Sequence, residues 1–230
     1  MAGPDSNILN ENDLIPYAAS EPVGNRVLVL APHPDDEALG CGGSLRILSE
    51  AGKAIKVVFL TKGEKAEPNL MDKERYSLLR EKEALKALKI LSIRDHEFLR
   101  IPDRELYANM DKAIELISTI VKDFKPDALY SPSSLELNPD HRATAEIAMA
   151  QRNRCGLRIV FYELTVPLRP NILVDITGVF RRKKKAVRAY KSQLRLADYV
   201  KLISALNIYR TFTLGNKSKY AEAFLVMPVD

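Results

Sequence analysis

The chain has 230 residues, 46% apolar and 28% charged, with 10 Gly, 13 Pro and two Cys. It can bury a core without staples, which excludes a collagenous, compositionally disordered or disulfide-framed protein. Thirty-five Lys and Arg against 30 Asp and Glu leave +5, all of it supplied by the run Arg181–Lys185, so no nucleic-acid partner is expected. The two thiols, Cys41 and Cys155, read as reduced and point to the cytoplasm. Residues 1–25 are polar and acidic, unlike a signal peptide, and no run of about 18 apolar residues predicts a membrane span.

In chain order, Arg26–Ala31 (RVLVLA) has the continuous apolar pattern of a strand covered on both faces, and Pro32 ends it. Ala38, Leu39, Leu45 and Leu48 suit a helix that Gly52 stops, and Ala54–Thr61 is the next strand, completing a βαβ unit. A helix over 72–91, a strand over 97–101, a helix over 107–124, a strand over 128–131 and a helix over 140–151 continue the alternation. Strands are then expected at 157–164 and 172–176, helices at 178–194 and 197–209, and a last strand at 224–226. This order implies an α/β fold, a Rossmann-like open and mostly parallel sheet with helices on both faces. With no linker or repeat, one domain over 1–230 is expected, residues 1–25 being an extension. The run Arg181–Lys185, flanked by Phe180, Val187, Tyr190 and Leu194 at helical spacing, reads as a solvated helix face, with an anionic ligand or headgroup as the rival.

Ligands of such sheets gather beyond the carboxyl ends of the strands, where strand order reverses. The run His33-Pro34-Asp35-Asp36-Glu37 falls at such a place, with two prolines fixing the backbone around the imidazole. Three adjacent carboxylates repel unless a cation or donors offset them, which suits a metal; an acidic N-cap explains the same run. A second cluster, Asn138-Pro139-Asp140-His141, after the strand at 128–131, favours the metal. His33, Asp36 and His141 supply two imidazoles and a carboxylate, the donor set of a catalytic zinc with an open position, one ion per chain. The third histidine, His96, reads as structural or surface. Glu37 and Arg142 are explained as well by helix capping and a solvated first turn as by support of the metal, and Gly42-Gly43 implies close approach of a backbone or ligand.

The segment 31–37 with Gly40-Cys41-Gly42-Gly43-Ser44-Leu45, and Asn138-Pro139-Asp140-His141-Arg142, resemble the two signature loops of the PIG-L/LmbE-like N-acetylglucosamine deacetylases. Thr61-Lys62-Gly63-Glu64, residues 80–84, 174–177 and Ser192-Gln193 are similar to further family blocks, and the likeness covers residues 26–194, leaving 195–230 outside it. The resemblance implies zinc ligands His33, Asp36 and His141, a general base at Asp35 that stays ionised beside the ion, and a sugar contact at Arg80. One position departs from the pattern: most members carry histidine where this chain has Asn138, which donates a hydrogen bond but yields no proton. Asp140, which would orient that histidine, is left to hold Asn138 or to support the metal from behind. The implied activity is removal of acetate from a small-molecule N-acetylated amino sugar, with homo-oligomerisation left open. The rivals are a non-catalytic or weakly active sugar-binding protein that keeps the zinc and, less well supplied with histidines, a metal-assisted phosphoesterase.

Overall fold

β1 (Arg26–Ala31) and β2 (Ala54–Thr61) lie side by side and parallel in the computed structural model, which describes residue 11, residues 14–67 and residues 72–228. The expected N-terminal extension therefore lies partly outside the described residues. Alternation along β1 sends Val27, Val29 and Ala31 into one core and Leu28 and Leu30 into the other, which explains why the strand reads as a continuous apolar run. α1 (Asp36–Glu50), α2 (Lys73–Leu91) and α5 (Phe180–Val187) cover the first face. α3 (Met110–Phe124) and α4 (Pro139–Cys155) cover the second, α3 burying Ala113, Ile117, Ile120, Val121 and Phe124 at helical intervals.

The remaining strands are β3 (Asp95–Ile101), β4 (Ala128–Pro132), β5 (Arg158–Tyr162), β6 (Ile172–Asp175) and β7 (Ala221–Val226). They form one seven-stranded sheet ordered β3-β2-β1-β4-β5-β7-β6, parallel except that β7 runs antiparallel to β5 and β6. Chain order reverses between β1 and β4, so the loops after these two strands open into a shared crevice.

Three expectations are corrected. The helix read over 178–194 is broken into α5 and α6 (Lys191–Leu194), because tertiary hydrogen bonds hold the chain between them. The Tyr190 hydroxyl donates to Glu37 Oε1 at 2.5 Å, and the Ser192 amide and hydroxyl donate to Glu83 at 3.0 and 2.6 Å. Nor is the cationic run uniformly wet. Lys183 is 1% exposed and its Nζ donates to the buried Glu222 carboxylate at 2.7 Å, an ion pair that also takes the Gly43 and Ser44 amides. A helix with one cation facing the sheet has the same composition as one with none, so the run did not reveal it.

The paired glycines also have a different cause from the one expected. A Cβ on Gly43 would stand 2.7 Å from the Ile176 side chain, so a side chain and not a backbone or ligand crowds it. Gly42 has ordinary room, its nearest neighbour being Lys183 Cγ at 3.4 Å. α7 (Tyr199–Tyr209) completes the helices, and no helix among the described residues is long and apolar enough to cross a membrane.

Candidate metal centre and active site

His33 leaves the end of β1 and His141 sits in the first turn of α4, 108 residues later, on opposite sides of the crevice. Their nitrogens meet: His141 Nε2 lies 3.2 Å from His33 Nδ1, and Asp36 Oδ2 lies 3.2 Å from the latter and 3.3 Å from the former. All three residues are buried. Donors about 2.0–2.1 Å from a tetrahedral ion stand about 3.3 Å from one another, so this triangle fits a single divalent ion without rearrangement. Asp36 Oδ2 also accepts the His33 amide at 2.9 Å, which closes the turn and fixes the carboxylate.

A second set of acids faces the other edge of His33. Its Nε2 lies 3.3 Å from Asp103 Oδ1 and 3.4 Å from Asp140 Oδ2, positions that accept a proton from Nε2 and leave the Nδ1 lone pair toward Asp36 and His141. His141 Nδ1 faces the buried Glu136 carboxylate at 3.8 Å. Burial would lower both imidazoles, yet Asp103, Asp140 and Asp36 hold His33 well above its ordinary range, and Asp36 and Glu136 push His141 up to about 9. Asp36 and Asp103 are held below the usual carboxylate range despite their burial, chiefly by His141 and His33 respectively, Asp103 at about 2. The carboxylates thus favour positive charge at the centre of the cluster, the electrostatics a divalent cation needs.

Asp35 caps α1 without a side-chain cap bond, at φ 147°, a backbone conformation rarely adopted by a residue with a Cβ. Burial pushes its carboxyl up to about 7, against the pull of the Arg80 guanidinium, whose Nη2 lies 3.1 Å from Asp35 Oδ1. Arg80 is itself buried and donates to the carbonyls of Gly63 at 2.8 Å and Pro34 at 2.6 Å. Gly63, at φ +64°, has no alternative, since a Cβ there would sit 2.2 Å from Arg80 Nη1. Arg80 therefore both clamps the metal loop and lines the cavity above it.

That cavity holds about 370 Å³ and is lined by His33, Asp35, Asp36, His141, Asn138 and Arg80, with Asp103 and Arg104 on one wall and leucines at its mouth. The side-chain oxygen of Asn138 accepts the Asp140 amide at 2.8 Å as the N-cap of α4. Asp140 accepts the amides of Arg104 at 2.7 Å and Leu106 at 3.2 Å, so its carboxylate ties down the loop after β3 and does not hold Asn138. Arg142 donates to the Leu137 and Glu136 carbonyls at 3.1 and 3.3 Å, shaping the loop before α4.

Glu37 is neither cap nor solvated: it is 0% exposed, bonded to Tyr190, and burial pushes it up to about 8. His96 stands half-buried at the start of β3, at the far end of the sheet from the crevice. None of Arg181–Lys185 lines the cavity. Sequence reasoning missed Asp103 and Glu136, each an acid just past a strand end; that placement, shared with His33, was the available signal.

Comparison with known proteins places the chain in a family. The family described as PIG-L, GlcNAc-PI de-N-acetylase, matches residues 28–151. The chain is 27% identical over 201 residues to the diacetylchitobiose deacetylase of Thermococcus kodakarensis, covering 77% of this chain and 74% of that one. It is 28% identical over 196 residues to a 4-oxalmesaconate hydratase of Pseudomonas putida, covering 75% of each. The crystal structure of the conserved protein TT1542 of Thermus thermophilus superposes with a TM-score of 0.77 at 29% identity, covering 89% of this chain and 96% of that one.

Proposed function

The chain belongs to the PIG-L, GlcNAc-PI de-N-acetylase family, and from that membership we propose that it is a zinc-dependent amide hydrolase acting on an N-acetylglucosamine-type conjugate and releasing acetate and a free amine. The observation that carries this reading is the 3.2–3.3 Å triangle of His33 Nδ1, Asp36 Oδ2 and His141 Nε2 at the floor of a cavity that Asp35 and Asn138 also line. These three are the proposed ligands. Nitrogen and oxygen donors without thiolate suit a zinc that keeps one position for water or substrate. Held by His33, Asp36 and His141, such an ion would lower the pKa of a bound water toward about 7 and would polarise the acetamide carbonyl.

The chain's own groups do the rest. Asp103 and Asp140 fix the His33 tautomer by accepting at Nε2. Asp35 accepts the proton of the attacking water and returns it to the amide nitrogen as the C–N bond breaks. The side-chain oxygen of Asn138 is engaged by α4, which leaves its NH₂ to donate to the carbonyl oxygen as charge develops there. Arg80 keeps Asp35 in place and supplies a contact to the sugar. A cytoplasmic setting is part of the reading and rests on the two free thiols.

The test is elemental analysis joined to an acetate-release screen over N-acetylglucosamine conjugates. One zinc per chain, with release that a chelator abolishes and zinc restores, is expected. A zinc-loaded protein that frees no acetate from any conjugate overturns it. The hydratase relative supports a second reading, in which Arg80 and Arg104 in the cavity receive an unsaturated tricarboxylate of the oxalmesaconate type. Hydration of such an acid without acetate release would establish that reading instead.

A further inference from the structure

α7 is turned inside out. Its buried side carries Ile203, Asn207 and, just past its end, Arg210, whose guanidinium Nε donates to the buried Glu163 at 2.9 Å. Its outer side carries Leu202, Ala205, Ile208 and Tyr209, continued by Phe212; Ile208, Tyr209 and Phe212 are 52%, 56% and 64% exposed. Spacings of three and four residues place these on one face, and the rings of Tyr209 and Phe212 stack with centroids 6.0 Å apart. The stripe reaches the active-site cavity, because Leu202 and Leu196, both exposed, line its mouth. A continuous apolar stripe on an exposed helix face marks an interaction site.

The charge around it selects the partner. Residues 181–220 contain 12 Lys and Arg against a single acid, Asp198, a net +11 where the whole chain is +5, so the remainder is −6. Glu222 and Glu163 neutralise Lys183 and Arg210 inside the fold, leaving ten cations of this segment to meet Asp198 alone. Lys184, Arg188 and Lys201 line a groove directly beside α7. A helix with an apolar outer face flanked by cations matches the chemistry of the boundary between headgroups and acyl chains in an anionic bilayer.

We propose that α7 and its flanking cations dock this protein on an anionic lipid surface, the stripe Leu202–Phe212 entering the headgroup layer and the cavity opening at its edge. A second copy packed through the same face would set cation against cation across the contact. Nucleic acid would satisfy the cations but leave aliphatic Leu202 and Ile208 without partners. The inference does not depend on the hydrolase reading.

Vesicle flotation tests it, using phosphatidylcholine alone and an equimolar mixture with phosphatidylglycerol, at low and high salt. The protein is expected to float with the mixed vesicles only, and less at high salt. Arg188→Glu and Lys201→Glu each lower the partition coefficient about five-fold. Ile208→Ser combined with Phe212→Ser lowers it about ten-fold or more. These side chains are exposed, and an unchanged circular dichroism spectrum verifies that the variants fold. Equal flotation with both vesicle types overturns the proposal. So does a dimer in sedimentation velocity that the double serine variant dissolves while vesicles bind neither form, and so does tighter binding to RNA than to vesicles that the serine variant leaves intact.

Discussion

Asp35 combines a backbone at φ 147° with a buried carboxylate whose cationic neighbour, Arg80, is anchored on two carbonyls. Strain of about 1–3 kcal/mol persists only where the surroundings impose it, and here the clamp comes from α2 and the loop after β2. Asp35→Asn keeps the shape and the three proposed ligands but accepts no proton. Zinc content is expected to stay at wild-type level while kcat falls by about 10²–10⁴, read by elemental analysis and acetate release. Asn138 separates two roles. Asn138→Asp retains the N-cap acceptor and loses the donor, so thermal stability should hold while kcat drops by about 10²–10³. Asn138→Ala should lose the cap as well, costing about 1 kcal/mol in denaturant unfolding; equal stability for the two variants would refute the division. Among residues, the triad was legible because the chain has three histidines and two of them stand at strand-to-helix junctions. Asp103 was not, because its partner His33 arrives from a loop far away in sequence, while Glu136, five residues before its partner His141, was passed over although it stands beside the second cluster.

The elements were legible wherever local pattern and tertiary environment agree. β1 is buried on both faces and reads as an unbroken apolar run after Arg26, β2 reads as an apolar run interrupted by Lys56, and α3 shows its buried stripe directly. They were misread where a few long-range contacts decide, as at the break between α5 and α6, which Glu37 and Glu83 hold through Tyr190 and Ser192. α1 offers a sharper test, since its glycines look alike in sequence. A Cβ at Gly40 would sit 2.2 Å from the Tyr162 ring, whereas one at Gly42 meets nothing nearer than 3.4 Å. Tyr162 cannot withdraw easily, being fully buried with its hydroxyl on the Leu30 carbonyl at 2.8 Å. Gly40→Ala is therefore expected to lower stability by about 1–3 kcal/mol through overpacking. Gly42→Ala is expected to raise it by about 0.5–1 kcal/mol through helix propensity. Urea titrations of the two variants measure both, and destabilisation by Gly42→Ala would show that α1 tolerates no added atom anywhere along its inner face.

Two closures tie the ends of the molecule to its middle. The proposed metal is one: it would bridge β1 to α4 where buried acids otherwise crowd together. Zinc added to chelator-treated protein at about a hundred times its Kd should stabilise it by about 2.7 kcal/mol, seen as a rise in Tm, because a preformed three-donor site exists only in the folded chain. The other closure is the buried pair of Lys183 and Glu222. Glu222, on β7, accepts the Gly43 amide at 2.8 Å, the Ser44 amide at 2.7 Å and Lys183 Nζ at 2.7 Å, so the last strand, α1 and α5 meet at one carboxylate. Desolvating two charges consumes most of what their attraction returns, so the pair itself adds little net stability; removing one partner alone strands the other. Lys183→Met is accordingly expected to cost about 3–5 kcal/mol. Lys183→Met with Glu222→Gln keeps an acceptor for one α1 amide and removes the unpaired charge, and should recover most of that loss. A double variant as unstable as the single one would mean that the cation packs α5 against α1 through its methylenes more than it neutralises Glu222, and that the +5 chain gains from Lys183 as a hydrocarbon stem.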